Sequence, residues 1–282
     1  QVIDRFDLNQ APSYTDMHSS LWTLYYAAVF RCNEFIDKSE NIAWDNDSIK
    51  STYLGETHAI RGICYFDMVR TWENIPLLIH ATQDNVAQAA PDDVYAQIVT
   101  DLKFAADKIP AKAYPKSQSA SNDGHITKYA AEAMLARVYL FYDGYYNGNK
   151  GADMPGGLTK AQALAYCEDV IKSDEFGLVK RFKDLWPASS DDKTGNYLDH
   201  WVDKSSYAGV GNKETVLSMK FNYTADYNGN DDGNRFVIMT GLRTNANVYN
   251  RYGQGWGAMT VNMKQAAAYG QGDSRRQASI ID

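Results

Sequence analysis

GETHAIRGICYFDMVRTWENIPLL, residues 55–78, carries Ile60, Cys64 and Met68 at four-residue spacing, the period of one helix face. Tyr53 and Leu54 extend the pattern upstream and predict a helix over residues 47–72. Its apolar face and its Trp72 assign this stretch to the scaffold of the fold.

The nearly apolar run before it, residues 21–30, is ten residues long and contains Thr23, about half the ~20 residues a bilayer-spanning helix needs. It is expected as a buried helix over residues 20–38, with Leu21, Leu24, Tyr25, Ala28, Cys32, Phe35 and Ile36 on one face. Downstream, Pro91 suits a first helical position, Val94, Ile98, Leu102, Ala105 and Ile109 follow at helical spacing, and Pro110 ends the run. Two further helices are predicted over residues 127–142 and 159–173. They carry a degenerate tetratricopeptide pattern, Leu135, Ala136 and Tyr139 on one and Ala163, Cys167 and Val170 on the other, whose small residues let two backbones approach closely. The connection over residues 143–158 is too long for a regular array, so the expectation is helix pairs stacked into a partial superhelix.

After Lys180, Gly, Asn, Asp and Ser punctuate short apolar stretches, and only ETVLSMKFNY, residues 214–223, alternates like a strand. The fold class is therefore mainly α: a tetratricopeptide-like helical scaffold over residues 1–180, and a loop-rich, aromatic-rich region with a few short strands over 181–282, together one integrated domain.

With 282 residues, 44% of them apolar, the chain can bury one large core or two ordinary ones without staples. A formal charge of -7 and no basic cluster argue against nucleic acid or an anionic membrane surface as partner. Cys32, Cys64 and Cys167 are odd in number, lie in apolar helical patterns and read as buried thiols. No initiator Met, charged leader or cleavage site precedes Gln1, so the start reads as a trimmed or partial product.

The usual signs of chemistry are missing. The histidines at 18, 58, 80, 125 and 200 never fall three or four apart, and no nucleophile elbow, phosphate loop or dinucleotide fingerprint occurs. Asp199, Asp203 and the pair Asp231 and Asp232 could pair as glycosidase acids, but read better as solvated loop acids. Asp226, Asn228 and Asn230 are spaced like a calcium loop, yet Val237 stands where a bidentate acid belongs. No cofactor or metal is expected.

Sugars present apolar C–H faces and a rim of hydroxyls, which aromatic rings and amide, carboxylate or guanidinium groups respectively recognise. The stretch from Trp186 to Trp256, both included, holds eleven aromatic residues with weak core periodicity, which leaves rings available for binding. Tyr197 and Trp201, then Asn250, Arg251, Tyr252 and Trp256 in the run YNRYGQGWG, are the candidate ligand-binding residues. Trp22, Trp72 and Trp186 read as core, and Trp44, beside Asp45 and Asn46, is open to either role.

Residues 55–78 also resemble the signature helix of the SusD/RagB family through Gly55, Glu56, Arg61, Tyr65, Phe66, Val69, Arg70, Pro76 and Leu77. Four further blocks follow in the family's order: DDVYAQIVTDLKFAADKIP, ITKYAAEAMLARVYLF, NKETVLSMKFN and YGQGDSRRQASII. His58, Glu73, Asn74 and Ser274 depart from the usual pattern. The resemblance implies an internal fragment of a non-enzymatic, surface-exposed lipoprotein of the outer membrane of Bacteroidetes-type bacteria, anchored through an upstream Cys. Such a protein binds oligo- or polysaccharide and lids a TonB-dependent, SusC-like transporter. The alternatives are a tetratricopeptide-type adaptor for protein partners and, more remotely, a glycosidase.

Overall fold

The computed structural model describes residues 19–119, 124–185, 208–209, 211–220, 239, 243, 255–257 and 261–280. The chain divides into two compact units, Gln1–Tyr114 with His125–Asp174, and Pro115–Gly124 with Glu175–Asp282.

The first unit holds the helices the sequence predicts: α1 Ser19–Lys38, α2 Asp47–Trp72, α3 Pro91–Lys108, α4 Lys128–Tyr145 and α5 Lys160–Lys172. A two-residue antiparallel pair, β1 Ile75–Pro76 with β2 Gln88–Ala89, closes the α2–α3 connection. The caps follow the local chemistry. Asn46 accepts from Ile49 N–H, Thr127 from Ala130 N–H, and Thr159 and Gln162 form a reciprocal capping box. Pro91 starts α3, with Asp92 and Asp93 in its first turn and Lys108 in its last, each matched to the helix dipole.

α2 is the central helix and packs chiefly on α3. The contact is made close by Gly55 and Gly62, seven residues apart. A Cβ on Gly55 would stand 2.4 Å from Ile109 Cγ1, and one on Gly62 would stand 3.3 Å from Asp101 Cβ. Ala59, Tyr65, Phe66, Met68 and Val69 fill the rest of the interior, and large side chains among these contribute about 1.5–3 kcal/mol each. Because α2 is covered by α1 and α3, only a narrow strip stays open. Tyr53 and Ile60, expected on the apolar face, share that strip and are exposed, as are Leu21 and Leu24 in the first turns of α1. The α3 prediction holds throughout: Val94, Ile98, Leu102, Ala105 and Ile109 are all buried.

Polar side chains fasten the chain after α2. Tyr26 Oη donates to Pro76 O, Tyr65 Oη both donates to and accepts from the Leu78 backbone, and Asn33 Nδ2 donates to Leu78 O and His80 O. Asp37 accepts from Ala81 N–H and pairs with His80; those two contacts hold its carboxyl below the usual range.

The long α4–α5 connection folds back on α3 rather than extending a repeat. Met154 and Leu158 are buried and form a bridge, Tyr139 Oη donates to Ala152 O, and Lys103 Nζ donates to Gly157 O. Gly156 adopts φ 80°, and a Cβ there would lie 2.8 Å from Val99 Cβ, so only glycine permits this approach. Leu135, Ala136, Tyr139, Ala163 and Val170 are buried at the α4–α5 contact as the tetratricopeptide pattern requires. Cys32 and Cys64 are buried, but Cys167 is only half-buried. Trp22 and Trp72 are half-buried and meet edge to face at 5.1 Å, so they seal the rim of the core rather than its centre. Trp44, half-buried, donates to Ser39 O and lies against Phe35 and Tyr53, which makes it structural.

In the second unit the described residues include a 3-10 turn at Phe182–Leu185 and two short helices, α6 Met263–Ala268 and α7 Ser274–Ser279. The expected strand is not formed over residues 214–220, and residues 221–223 lie outside the described residues. The cause is Asn212, whose Oδ1 accepts from both Glu214 N–H and Thr215 N–H and turns the chain. Glu214 then accepts from Val179 N–H, and Gly177 N–H donates to Lys213 O. Trp186, expected in the core, lies outside the described residues.

Candidate functional site

Of the six expected ligand-binding residues, Trp256 falls among the described residues; Tyr197, Trp201, Asn250, Arg251 and Tyr252 lie outside them. Trp256 sits between two glycines with separate tasks. Gly255 is buried and forms a parallel bridge with Arg243. Gly257 has φ 60°, and a Cβ on it would stand 2.7 Å from Arg243 Cβ. The backbone on both sides of Trp256 is thereby held against Arg243, while the residue as a whole is 51% exposed. A ring fixed at its base and open at its face is suited to stack on the C–H face of a sugar. Arg243, which no local pattern marks, is brought beside this segment by tertiary structure alone.

A second feature of this unit is an open cleft of about 610 Å³ lined by Met263, Tyr269, Gln271, Asp273 and Arg276. Asp273 is committed to structure. Its carboxylate accepts from Arg275 Nε and Nη2 and caps α7 through Arg275 N–H, contacts that pull its pKa down to about 2. The block YGQGDSRR therefore builds a helix start.

The acids weighed for hydrolysis, Asp199, Asp203, Asp231 and Asp232, and the calcium-like residues Asp226, Asn228, Asn230 and Val237, lie outside the described residues. Among the described residues no group of three or more His, Cys, Asp or Glu is placed to hold a metal ion. The three described histidines each meet a carboxylate: His58 with Asp101 at 2.7 Å, His80 with Asp37 at 2.8 Å and His125 with Glu56 at 2.8 Å. Glu56 also accepts from Ile126 N–H and from Tyr114 Oη, and Tyr114 stacks on His125 at 4.0 Å. These contacts lock the chain around α2 and identify the signature residue Glu56 as structural; Arg61 is likewise held, its Nε and Nη2 donating to Asp101.

Sequence reasoning missed one cluster in the first unit. Where α2 and α4 end, Phe66, Arg70, Phe141, Tyr145 and Tyr146 gather, and Tyr145 is 68% exposed. The signal was present in FYDGYYNGNK, a tyrosine pair among glycine and asparagine, but Phe and Tyr at helical spacing also read as core.

The SusD-like family described as "Starch-binding associating with outer membrane" matches residues 4–140. A SusD-like protein of Bacteroides ovatus is 25% identical over 248 residues, covering 83% of this chain and 43% of its own. The chain thus spans less than half the length of that relative. Among solved structures, surface glycan-binding protein A from Bacteroides uniformis superposes with a TM-score of 0.66 at 19% identity, over 92% of this chain and 48% of its own. A structure solved with a xylogluco-oligosaccharide superposes with a TM-score of 0.57 at 23% identity, over 80% of this chain and 39% of its own. At these identities the structural likeness is one of fold.

Proposed function

Because the chain is SusD-like in sequence and in fold, we propose that it binds oligo- or polysaccharide at a bacterial cell surface and acts without catalysis as the lid of a TonB-dependent, SusC-like outer-membrane transporter. In this reading residues 1–180 are the scaffold and residues 181–282 the ligand-binding region. Tyr197, Trp201, Tyr252 and Trp256 stack on sugar rings, and Asn250 and Arg251 bond the hydroxyl rim. The whole protein is held at the outer membrane by a lipid on an upstream Cys.

The observation that carries the reading is the presentation of Trp256, half exposed on a backbone fixed through Gly255 and Gly257. The name of the Bacteroides uniformis structure and the oligosaccharide in the other support the ligand class, and the family description supports the membrane association. The test is a glycan panel with the wild-type chain and Trp256→Ala. Loss of one stacking ring is expected to weaken binding about tenfold. Unchanged affinity for every glycan would remove Trp256 from the site, and sugar release from any of them would refute a purely binding role. Co-purification of the full-length protein with a barrel protein checks the transporter partnership.

A further inference from the structure

The cluster at the ends of α2 and α4 has a geometry that core packing does not require. Tyr145 lies in the last turn of α4 and is 68% exposed. Beneath it Phe141 is nearly parallel, at 13° and 5.7 Å, and Tyr146 stands edge-on at 77° and 4.8 Å, which makes a two-walled aromatic corner. The corner is braced from below. Phe141 meets Phe66 at 5.7 Å, the Arg70 guanidinium lies 4.2 Å over Phe66 and 5.6 Å over Phe141, and Tyr146 rests on Tyr142 and Tyr95 at 4.9 and 5.7 Å. Little side-chain freedom remains to be lost when a ligand stacks there.

Polar groups border the rings. Arg70 lies in the last turn of α2, where its Nη2 pairs with Asp67 and its Nε donates to Phe66 O, and Glu73, just past the helix, has a positive φ of 61° that a residue other than glycine rarely adopts. Burial first and then the charge of Glu73 raise the pKa of the Tyr146 phenol. Asp92 accepts from Tyr142 Oη at 2.7 Å. Two buried donors near Tyr146 have no partner among the described residues: the hydroxyl of fully buried Tyr95, whose ring contacts Tyr146, and Nδ2 of Asn147, the next residue. A protein-docking face would call for a broad apolar surface. Here a small aromatic corner is rimmed by a guanidinium, carboxylates and phenols, the composition that recognises a pyranose ring.

We propose that Tyr145, backed by Phe141 and walled by Tyr146, is a sugar-stacking subsite of the helical unit, additional to Trp256. The assignment rests on the glycan-binding reading above.

The experiment titrates the wild-type chain, Tyr145→Ala, Tyr145→Phe and Trp256→Ala with xylogluco-oligosaccharide and an oligosaccharide panel by calorimetry. Hydroxyl-radical footprinting of wild type then reads the accessibility of Tyr145 with and without sugar. Tyr145→Ala is expected to bind about tenfold more weakly and Tyr145→Phe within about twofold of wild type, because the ring and not the hydroxyl does the stacking. Tyr145 should oxidise more slowly when sugar is bound. Sugar binding lost in Trp256→Ala but intact in Tyr145→Ala, with no protection of Tyr145, overturns the subsite and leaves the glycan reading standing. A wild-type chain that binds nothing on the panel overturns both. Should Tyr145→Ala unfold, protection of Tyr145 in the wild-type chain decides the matter.

Discussion

Arg61 and Asp101 meet in the helical core through two parallel hydrogen bonds, Nε donating to Oδ2 at 2.9 Å and Nη2 to Oδ1 at 2.6 Å. The guanidinium also donates from Nη1 to Asn33 Oδ1 at 2.7 Å and to Ile79 O at 3.2 Å, and Asp101 further accepts from Gln97 Nε2. One buried pair therefore ties together α1, α2, α3 and the segment after α2. Burial opposes the charge on Arg61, but the hydrogen bonds and charge of Asp101 outweigh it and raise the Arg61 pKa.

Asp101→Asn keeps the shape of this pair and removes its compensating charge, which leaves a buried cation alone. The expected cost is about 3–5 kcal/mol of stability, measured by urea denaturation. A loss below about 1 kcal/mol would show that the pair is not the brace described.

The Gly55 contact predicts an effect of opposite origin. Gly55→Ala must push against Ile109 Cγ1, 2.4 Å from the new Cβ, and is expected to destabilise by about 1–3 kcal/mol. Ile109→Ala removes that Cγ1, so the double variant should lose less than the sum of the two single losses, since the two sites share one space. Simple additivity of the two substitutions in thermal melts would contradict the contact.

Glu132 sets a pH dependence. Its carboxyl is nearly fully buried on α4, where burial first and then Asp169 push its pKa up to about 7, against the pull of Lys128; Tyr166 also lies within its field. Between the unfolded value of 4.5 and about 7 the folded state holds a proton that the unfolded state has lost. Its contribution to stability is thus complete below the unfolded value and lost as the pH rises through about 7. Asp169 and Asp37, whose pKa values are lowered, act in the opposite sense at acid pH. The measurable quantity is the difference between wild type and Glu132→Gln, which should grow by about 3 kcal/mol in favour of the variant from pH 4.5 to pH 8. A constant difference across that range would refute the assignment.

Gly257→Ala tests how Trp256 is held. A side chain at φ 60° and 2.7 Å from Arg243 Cβ forces the segment to shift, so glycan affinity should fall by about tenfold even though the indole remains. Wild-type affinity in this variant would mean that the glycine does not position the ring.

Thiol reactivity gives a simpler check. Burial pushes Cys32 up to about 11 and Cys64 up to about 12, whereas Cys167 is half-buried. Iodoacetamide at pH 8 should label Cys167 first in the folded protein, with Cys32 and Cys64 following only on unfolding. Early labelling of Cys64, read by mass spectrometry, would contradict the packing.

Five helices were legible because their evidence is local: three- and four-residue periodicity, Asn46 and Thr159 as caps, Pro91 as a start and Pro110 as a stop. Which apolar residues face inward was less legible. Tyr53 and Ile60 satisfy the period of α2 yet face outward, because α1 and α3 claim the other sides of that helix. Alternation over residues 214–223 suggested a strand until the Asn212 side chain bent the start of it into a turn. Of the six residues proposed to bind ligand, Trp256 stands in glycine-rich surroundings and is exposed; Arg243 beside it carries no distinguishing local mark, and the tyrosine pair at 145 and 146 reads equally as core.

The sequence by itself determined the family resemblance and the helix positions, since both are written in residue types and short spacings. Tertiary structure alone decided that Arg61 faces Asp101 forty residues away, that Glu56 holds His125, and that Gly257 lies against Arg243. The reason is physical. Helix period and capping arise from contacts three or four residues apart, but burial and pairing depend on which distant segments pack together, and one exposed strip on a helix can be chosen only by its neighbours.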